Sequence, residues 1–269
     1  LSNISGATWQ SVYVVKSVDN STGNFSISFT DLAGNAGTTE SGPTLPIIID
    51  TKVPELESVR LYSDNPDNRT ATVHDRITLE FKTSEAIDVP SVHMHGESVN
   101  PSSQNGIDWS ASYDVTNQSF EGQVSFTITF EDFAGNAGTD GLFTMDQSMV
   151  EVDITPPVIS NDNITSTNED PNWAKYGDNI TLSFETSERI QFPTDTVTID
   201  GLTNVVVRRN ASWTGWTATG QVASDASGMA NYSISVKDNA GNVATPVTST
   251  TSINLDTDKP SLQNVVLTT

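Results

Sequence analysis

Carboxylates recur along this chain at intervals that could bring them together as ligands for a hard divalent cation. Glu85 and Glu188 lie 103 positions apart, and the same interval separates Asp50 from Asp153. Ca²⁺ binds about six to eight oxygens at roughly 2.3–2.6 Å, and carboxylates provide such oxygens. The candidate metal ligands are Asp31, Asp50, Glu85, Asp132, Asn136, Asp153, Glu188, Asp238, Asn242 and Asp256.

A short phrase, Asp-x-Ala-Gly-Asn, occurs three times and identifies a repeat. Its copies begin at Asp31, Asp132 and Asp238. Each follows a run in which apolar and polar residues alternate, and each precedes an Asp-x-x-x-Pro phrase by about twenty residues. Because self-similarity at a fixed period is typical of tandem arrays, the sequence predicts repeats of about one hundred residues.

The elements that position these residues are predicted to be β-strands. The runs 77–81 and 180–184 alternate apolar and polar residues, as on half-buried strands. Each repeat contains about seven such runs with turn signals about every 8–12 residues, which is typical of an immunoglobulin-like sandwich. The predicted fold class is therefore all-β, with tandem immunoglobulin-like β-sandwiches of about seven strands each. Trp9, Trp109 and Trp216 recur at one position and are expected in the cores.

The repeat landmarks predict four segments. Residues 1–51 are expected to be the C-terminal part of one domain, with strands over 9–15, 25–29 and 46–49. Residues 52–154 and 155–257 are expected to be complete domains, and 258–269 the start of a further one. Because three strands bury too little surface to be stable, the polypeptide is expected to extend upstream.

The composition disfavours several classes of function. The 269 residues include 12 basic and 34 acidic ones, giving a formal net charge of −22, so nucleic acid and anionic membranes are poor partners. There is no cysteine, and no apolar run approaches the length of a membrane span. The acidity has two explanations that are compatible and stay open, namely solubility in a salty medium and binding of divalent cations.

Several phrases resemble the bacterial Ig-like repeats of very large cell-surface adhesins. They are Ile77-Thr-Leu-x-Phe-x-Thr-Ser-Glu85, Trp109-x-Ala-x-Tyr113, Phe126-x-Ile-x-Phe-x-Asp-x-Ala-Gly-Asn136 and Asp153-x-Thr-x-Pro157. The resemblance covers essentially the whole chain, although Gly220 stands where Tyr13 and Tyr113 occur. It implies a spacer segment of a long extracellular protein, with Ca²⁺ making the domain junctions rigid.

Strand direction predicts which carboxylates meet. In a sandwich of alternating strands, the second and sixth strands finish at the same end of the domain, where the preceding linker also arrives. Asp50, Glu85 and Asp132 should therefore converge with Asn136 at one junction, and Asp153, Glu188 and Asp238 with Asn242 at the next. Asp31 and Asp256 should belong to sites that are completed by residues outside this chain.

A turn interpretation of the same aspartates stays open. Asp accepts hydrogen bonds from backbone N–H groups two or three residues on, and Gly supplies a positive φ. The Asp-x-x-x-Pro phrase likewise suits a stiff linker. Glu85 and Glu188 favour metal binding, because glutamate is a poor turn residue and neighbouring carboxylates repel one another.

Other features are weaker signals. Nine Asn-x-Ser/Thr sequons could carry glycans, at Asn3, Asn20, Asn24, Asn68, Asn117, Asn163, Asn179, Asn210 and Asn231. His93 and His95 lie two apart without an evident third ligand, so an ordinary exposed strand is expected there. No nucleophile paired with a base and no phosphate-binding loop is found, so the chain is not predicted to be an enzyme.

The predicted function is mechanical, that of a spacer in an extracellular, cell-surface protein whose partners are neighbouring repeats of the same chain. Two alternatives stay open. The chain could be a glycan- or protein-binding module, for which residues 210–216 are the candidate stretch. It could instead be a glycosylated subunit of an extracellular filament, with other copies as partners. None of these functions requires nucleic acid or membrane insertion.

Overall fold

The chain is all-β, as the alternating pattern predicts. The computed structural model describes residues 1–193 and 196–266, and these form strands, turns and irregular segments without a helix. In these ranges no helix is long and apolar enough to cross a membrane. The chain divides into two compact units. The first comprises Leu1–Tyr62, Ile77–Tyr113 and Val124–Met149, and the second comprises Ser63–Arg76, Asp114–Gln123 and the chain from Val150 onward.

The first unit contains two hairpins and two larger sheets. The antiparallel hairpins are β1–β2 and β3–β4, and the sheets have the orders β10-β11-β7-β5 and β13-β8-β9. The strands are β1 (Ser2–Ser5), β2 (Thr8–Gln10), β3 (Ser21–Ile27), β4 (Glu40–Ile49), β5 (Leu56–Ser63), β7 (Arg76–Thr83), β8 (Ser91–Met94), β9 (Glu97–Val99), β10 (Ser102–Ser103), β11 (Asp108–Asp114) and β13 (Phe126–Thr129).

Alternation along the strands of the first unit produces its core. Ile77, Leu79 and Phe81 of β7 are buried while their neighbours face outward. Phe81 stacks on Trp109 of β11 with 6.4 Å between ring centroids. Both rings bury large apolar surfaces, which is the main stabilising contribution in a sandwich of this size.

The second unit contains four three- or four-stranded sheets. Their orders are β12-β14-β6, β15-β17-β20-β19, β16-β24-β21 and β18-β22-β23. The strands are β6 (Thr70–Ala71), β12 (Gly122–Gln123), β14 (Glu151–Val152), β15 (Ile159–Ser166), β16 (Trp173–Ala174), β17 (Asn179–Thr186), β18 (Val197–Ile199), β19 (Leu202–Arg209), β20 (Gly215–Val222), β21 (Ser227–Ala230), β22 (Tyr232–Ile234), β23 (Val247–Thr248) and β24 (Ile253–Asp256).

The predicted repeat 155–257 is a sandwich around one core in the second unit. Its buried cluster runs from Ile164 to Leu255 and includes Leu182, Phe184 and Trp216. Phe184 stacks on Trp216 with 6.4 Å between centroids, the same contact as Phe81 with Trp109. The prediction that the recurring tryptophans lie in cores is thus confirmed for Trp109 and Trp216.

The segment 1–49 departs from the sequence prediction. The strand expected over 9–15 is wrong in extent, since β2 ends at Gln10 and residues 11–16 are not in a strand. Trp9 is 62% exposed rather than buried. Among the described residues no further strand pairs with the two hairpins, and the apolar side chains of Phe25, Ile27 and Phe29 stay exposed.

The end of the chain also departs from the prediction. A strand is expected over 261–269, but residues 257–266 have no regular structure, and 267–269 lie outside the described residues. The predicted domain boundaries after residues 51, 154 and 257 stay a prediction, because the two compact units do not follow them.

Candidate metal centres

The Asp-x-Ala-Gly-Asn phrase folds into the same loop in all three copies. In the second copy, Oδ1 of Asp132 accepts hydrogen bonds from the backbone N–H groups of Ala134 (2.8 Å) and Asn136 (2.9 Å). Oδ2 accepts from the Asn136 side-chain amide at 2.8 Å. Gly135 adopts φ 85°, which explains why glycine stands there. The turn chemistry that the sequence suggests is therefore present.

The first copy repeats these bonds, and the third differs only in one of its two backbone donors. Oδ1 of Asp31 accepts from the N–H groups of Ala33 (2.9 Å) and Asn35 (2.8 Å). Oδ1 of Asp238 accepts from the N–H groups of Gly241 (2.7 Å) and Asn242 (2.9 Å). In each copy the asparagine amide donates to Oδ2 at 2.8 Å. The loop is thus a property of the phrase itself and forms whether its aspartate is exposed or buried.

A second repeated phrase, Thr-Ser-Glu, fixes the position of the glutamate. The Thr83 hydroxyl, which is buried, donates to the carbonyl of Glu85 at 2.7 Å, and the Ser84 hydroxyl accepts from the N–H of Glu55 at 3.0 Å. The corresponding bonds join Thr186 to Glu188 at 2.7 Å and Ser187 to Val158 at 2.9 Å. The threonine therefore fixes the backbone of the glutamate. The serine binds the segment that begins the sandwich and keeps it next to the glutamate.

Three carboxylates meet in the first unit, where the sequence predicts that they should. Asp50 follows β4, Glu85 follows β7 and Asp132 follows β13, and one oxygen from each lies within 4.8 Å of the others. Asp132 is 3% exposed, whereas the other two are half-buried. Asn136 bridges the group, since its amide donates to Oδ2 of Asp132 and to the carbonyl of Asp50 at 3.2 Å. These three carboxylates are named here the first triad.

The second unit holds an equivalent group, named here the second triad. It consists of Asp153, Glu188 and Asp238, whose oxygens again lie within 4.8 Å of one another. Asp238 is 1% exposed. The Asn242 amide donates to Oδ2 of Asp238 and to the carbonyl of Asp153 at 2.9 Å. Strand direction therefore predicts the convergence correctly at both places.

The charges around the two triads differ. Burial, followed by the charge of Asp238, raises the pKa of Asp153. Burial, followed by the charges of Asp153 and Asp238, raises the pKa of Glu188. In the first triad, burial opposes ionisation of Asp132, but hydrogen bonds from Asn136 and the loop backbone outweigh it and lower the pKa of Asp132. The second triad is thus the one in which negative charges accumulate.

The charged side chains next to the two triads also differ. In the first unit, Nζ of Lys52 lies 3.3 Å from Oε1 of Glu85. That oxygen is buried and makes no aligned hydrogen bond, so the ion pair is its contact with positive charge. In the second unit, Thr155 donates its hydroxyl to Oε1 of Glu121 at 2.5 Å. Glu121 raises the pKa of Glu188 further, after burial and the two aspartates.

Additional contacts join the loop after β5 to the last Asp-x-Ala-Gly-Asn loop within the second unit. The Asn65 amide, which is buried, donates to the carbonyl of Ala240 at 2.9 Å and to Oδ2 of Asp75 at 2.6 Å. The Thr72 hydroxyl donates to Oδ1 of Asn242. Asn242 therefore connects the second triad to a neighbouring loop through its oxygen and to the triad through its nitrogen.

The remaining predicted site residues lie apart from the triads. Asp31 and Asp256 are exposed, and within the described ranges neither belongs to a group of three metal-ligand side chains. Asn136 and Asn242 face the triads through their amide nitrogens, so their assignment as ligands stays a prediction. All nine sequon asparagines are exposed, which glycosylation requires but does not establish.

Sequence reasoning misses four residues of these centres, namely Lys52, Asn65, Thr72 and Glu121. Asn65 leaves a signal, because Ser63-x-Asn65-x-Asp67 recurs as Ser166-x-Asn168-x-Asp170, again 103 positions on. Lys52 and Glu121 are not repeated in the next copy. No periodic argument could therefore identify them.

The structure also shows the positions of two weaker candidates, the His93/His95 pair and Trp213. His95 does not continue the strand of His93, because β8 ends at Met94 and His95 turns inward with φ 50°. It is buried against Tyr113, so the expectation of an exposed strand is wrong for this residue. Trp213 is 37% exposed, and the guanidinium groups of Arg189 and Arg209 lie over its indole ring.

Comparisons with known proteins find similar solved structures, but no matching family or curated protein. No protein-family model matches the sequence, and no curated protein matches it. The chain is similar to a bacterial ice-binding adhesin of 1.5 MDa studied for host cell surface retention (17% identity, 87% of this chain and 74% of that one, TM-score 0.42). It is also similar to a Ca²⁺-stabilised adhesin with which an Antarctic bacterium binds ice (16% identity, 89% and 58%, TM-score 0.41).

A third similar structure is a tandem of titin immunoglobulin domains (11% identity, 77% of this chain and 100% of that one, TM-score 0.26). These neighbours are tandem immunoglobulin-like or adhesin domains.

Proposed function

We propose that this segment is a mechanical spacer of an extracellular, cell-surface protein, in which Ca²⁺ fastens each linker to the sandwich that follows it. The observation that carries the proposal is the pair of acidic triads. Each joins one linker carboxylate, Asp50 or Asp153, to two carboxylates of the next predicted repeat within 4.8 Å.

The donor set of both triads suits a hard cation. Each triad offers carboxylate oxygens from three separate segments, and neither contains a histidine or a cysteine that would favour a transition metal. One carboxylate of each triad is almost fully buried. Carboxylates gathered in this way repel one another unless a positive charge offsets them, and Ca²⁺ supplies two. Extracellular sites of this kind bind with Kd of about 10⁻⁴–10⁻³ M.

The chain's own residues define what such an ion would do. The Asn136 and Asn242 amides already hold the linker carbonyls of Asp50 and Asp153. A cation shared by the triad would add a second attachment at the same linker residue, through its carboxylate. The linker would then be less flexible, and a series of sandwiches joined by such linkers would become stiffer when Ca²⁺ is abundant.

Small-angle scattering and thermal unfolding test this proposal together. We expect the distribution of intramolecular distances to narrow and the unfolding temperature to rise when Ca²⁺ replaces chelator. The double variant Glu85→Gln/Glu188→Gln should lose both responses, because each triad loses a charge while keeping its shape. Asp256→Asn is the matched control, since this linker aspartate is exposed and outside the triads.

The proposal is wrong if wild-type protein shows the same distribution of intramolecular distances and the same unfolding temperature in Ca²⁺ and in chelator. Mg²⁺ provides a further comparison. Because Mg²⁺ is smaller and retains its waters, it should produce a weaker response at equal concentration.

A ligand-binding module is the second candidate, and one region favours it. Arg208, Arg209 and Asn210 line a groove of about 500 Å³ beside Trp216, and Trp213 lies on the adjoining loop. Glu185 also lines this groove, but in a chain with net charge −22 the two neighbouring guanidinium groups suit a carboxylated glycan. An array of neutral and acidic glycans tests it. Binding that is lost in Arg209→Ala would support it, and an array without hits would eliminate it.

A further inference from the structure

The residue two positions after the linker aspartate occupies the same place in all three linkers. The N–H of Lys52 donates to Oδ1 of Asp50 at 3.0 Å, that of Thr155 to Oδ1 of Asp153 at 3.2 Å, and that of Asp258 to Oδ1 of Asp256 at 3.0 Å. One local turn therefore presents three different side chains. Their charges are positive, neutral and negative in chain order.

At the first triad this position supplies a cation from the protein itself. The Lys52 ammonium lies 3.3 Å from the buried Oε1 of Glu85, although its side chain is 58% exposed. The contact is not an aligned hydrogen bond, and an exposed lysine is free to leave it. It partly neutralises the triad and remains replaceable by a stronger cation.

At the second triad the same position supplies no charge. The Thr155 hydroxyl donates to Glu121, and so does the N–H of Ile154 at 3.2 Å. These two bonds hold a fourth carboxylate near Asp153 and Glu188, and its charge reaches both. The surroundings of the second triad are therefore more negative than those of the first. They lack an ammonium group like that of Lys52, and they contain the additional carboxylate of Glu121.

We propose that Lys52 is a tethered counter-ion that competes with Ca²⁺ at the first triad, so that the two triads respond to different Ca²⁺ concentrations. The inference rests on the proposed function. The first junction keeps the Lys52–Glu85 ion pair without metal and binds Ca²⁺ more weakly. The second triad has no such counter-ion without metal and binds Ca²⁺ more tightly.

Reciprocal exchange of the two linker residues tests the affinities. Calorimetric titration of chelator-stripped protein with Ca²⁺ isolates the first triad in a Glu188→Gln background and the second in a Glu85→Gln background. An opposite charge within 4–6 Å typically shifts a carboxylate equilibrium by about ten-fold or more. We therefore expect Lys52→Thr to lower the Kd of the first triad about ten-fold and Thr155→Lys to raise that of the second about ten-fold.

A control variant separates this local effect from a change in overall charge. Lys82 pairs with Glu57 at 2.6 Å, outside the triads. Lys82→Thr changes the net charge as Lys52→Thr does, and it should leave both dissociation constants within about two-fold, because exposed charges that are farther away are screened.

Proteolysis without metal provides a readout that does not depend on Ca²⁺ binding. In chelator, subtilisin should cut near residues 50–54 several-fold faster in Lys52→Thr than in wild type. It should cut near residues 153–157 more slowly in Thr155→Lys. Neither expectation requires that a metal ever binds.

The outcomes distinguish the two proposals. If both triads bind Ca²⁺ but the exchange variants change neither affinities nor cleavage rates, the Lys52 inference is wrong and the spacer mechanism stands. If no variant binds Ca²⁺ while cleavage follows the expected order, the calcium proposal fails and Lys52 is a purely structural counter-ion. If neither binding nor cleavage responds, both fail.

Discussion

The first and second triads share their geometry but not their surroundings, and the difference separates what the repeated phrases determine from what each copy adds. Both triads use an aspartate from the linker, a glutamate from Thr-Ser-Glu and an aspartate from Asp-x-Ala-Gly-Asn. The first is balanced by Lys52, whereas the second has Glu121 beside it and hydrogen bonds from a neighbouring loop. The phrases thus build the acidic cluster, and residues found only once adjust its charge.

The Asp31 loop shows that the turn and the cluster are distinct properties. Asp31 accepts the same three hydrogen bonds as Asp132, and two of the three that Asp238 accepts, yet it is exposed and outside both triads. Hydrogen bonds from Asn35 lower the pKa of Asp31, as bonds from Asn136 do for Asp132. Turn formation therefore comes first, and convergence on Glu85 or Glu188 is added by the sandwich.

The largest effect should come from removing a loop aspartate that is buried. Asp238→Ala leaves the N–H groups of Gly241 and Asn242 without their acceptor, and the Asn242 amide keeps only its bond to the linker. We expect a loss of about 3 kcal/mol in the free energy of unfolding, since buried donors without partners are costly. Urea unfolding in chelator measures it without any contribution from metal.

Asp31→Ala is the matched control for this prediction. It also removes two backbone bonds and one asparagine amide bond, but at an exposed loop where water replaces the lost acceptor, so its effect should be clearly smaller. Equal losses in the two variants would show that burial at the triad adds nothing to the turn.

A smaller effect is expected from the packing that follows each loop. A Cβ at Gly138 would lie 2.2 Å from the Phe130 ring, and one at Gly37 equally close to Phe29. In the loop of the second junction the corresponding pair is Val236 and Ala244. Valine is smaller than the phenylalanine at position 130, and alanine is larger than the glycine at position 138. Gly138→Ala should therefore destabilise by about 2 kcal/mol through overpacking, measured by thermal unfolding.

Exchanging the whole pair sharpens this comparison. Phe130→Val/Gly138→Ala reproduces the arrangement of the second junction and should recover part of the stability that Gly138→Ala loses. A double variant that is less stable than Gly138→Ala would mean that the two loops are not interchangeable packing units.

The sequence predicts those parts of the molecule that are repeated. Strand alternation gives the all-β fold, and strand direction gives both triads because the glutamate and aspartate each end a strand at the same edge of a sandwich. Lys52 and Glu121 could not be predicted, since each occurs once and acts through side-chain reach rather than through a pattern. The exposure of Trp9 was likewise beyond prediction, because alternation shows which face is apolar but not whether another sheet covers it.

A third prediction concerns a polar pair that only the last full repeat contains. The Tyr232 hydroxyl donates to Oδ2 of Asp162 at 2.5 Å, where the preceding repeat has Phe126 and Val59. Burial, followed by this hydrogen bond, raises the pKa of Tyr232 to about 12. Since the ordinary value is about 10, the stabilisation is complete below pH 10 and is lost as the pH rises towards 12.

Tyr232→Phe tests the origin of that loss. Near neutral pH it should destabilise by about 1 kcal/mol, because Asp162 loses a donor. Between pH 10 and 12 its stability should fall less steeply than that of wild type, as measured by urea unfolding at each pH. Parallel pH profiles for the two proteins would contradict the assignment.

The smallest effect isolates the loop contact that distinguishes the second junction. Asn65 and Asn168 make the same bond within their own loops, to Asp75 at 2.6 Å and to Asp178 at 2.7 Å. Only Asn65 also donates to the carbonyl of Ala240, within the part of the chain that the structure describes. Both asparagines also accept a backbone N–H within their loops. Asn168→Ala therefore removes the bonds that the two loops share, and Asn65→Ala removes these together with the junction bond and a long contact of 3.5 Å from the Thr70 hydroxyl.

We expect Asn65→Ala to destabilise by about 1 kcal/mol more than Asn168→Ala, the usual contribution of one hydrogen bond. The difference should be the same in Ca²⁺ and in chelator, because neither asparagine belongs to a triad. Thermal unfolding and cleavage at residues 153–157 measure it. A difference that appears only with Ca²⁺ would mean that the Asn65–Ala240 contact depends on the metal. The contact and the metal would then not stabilise the second junction independently.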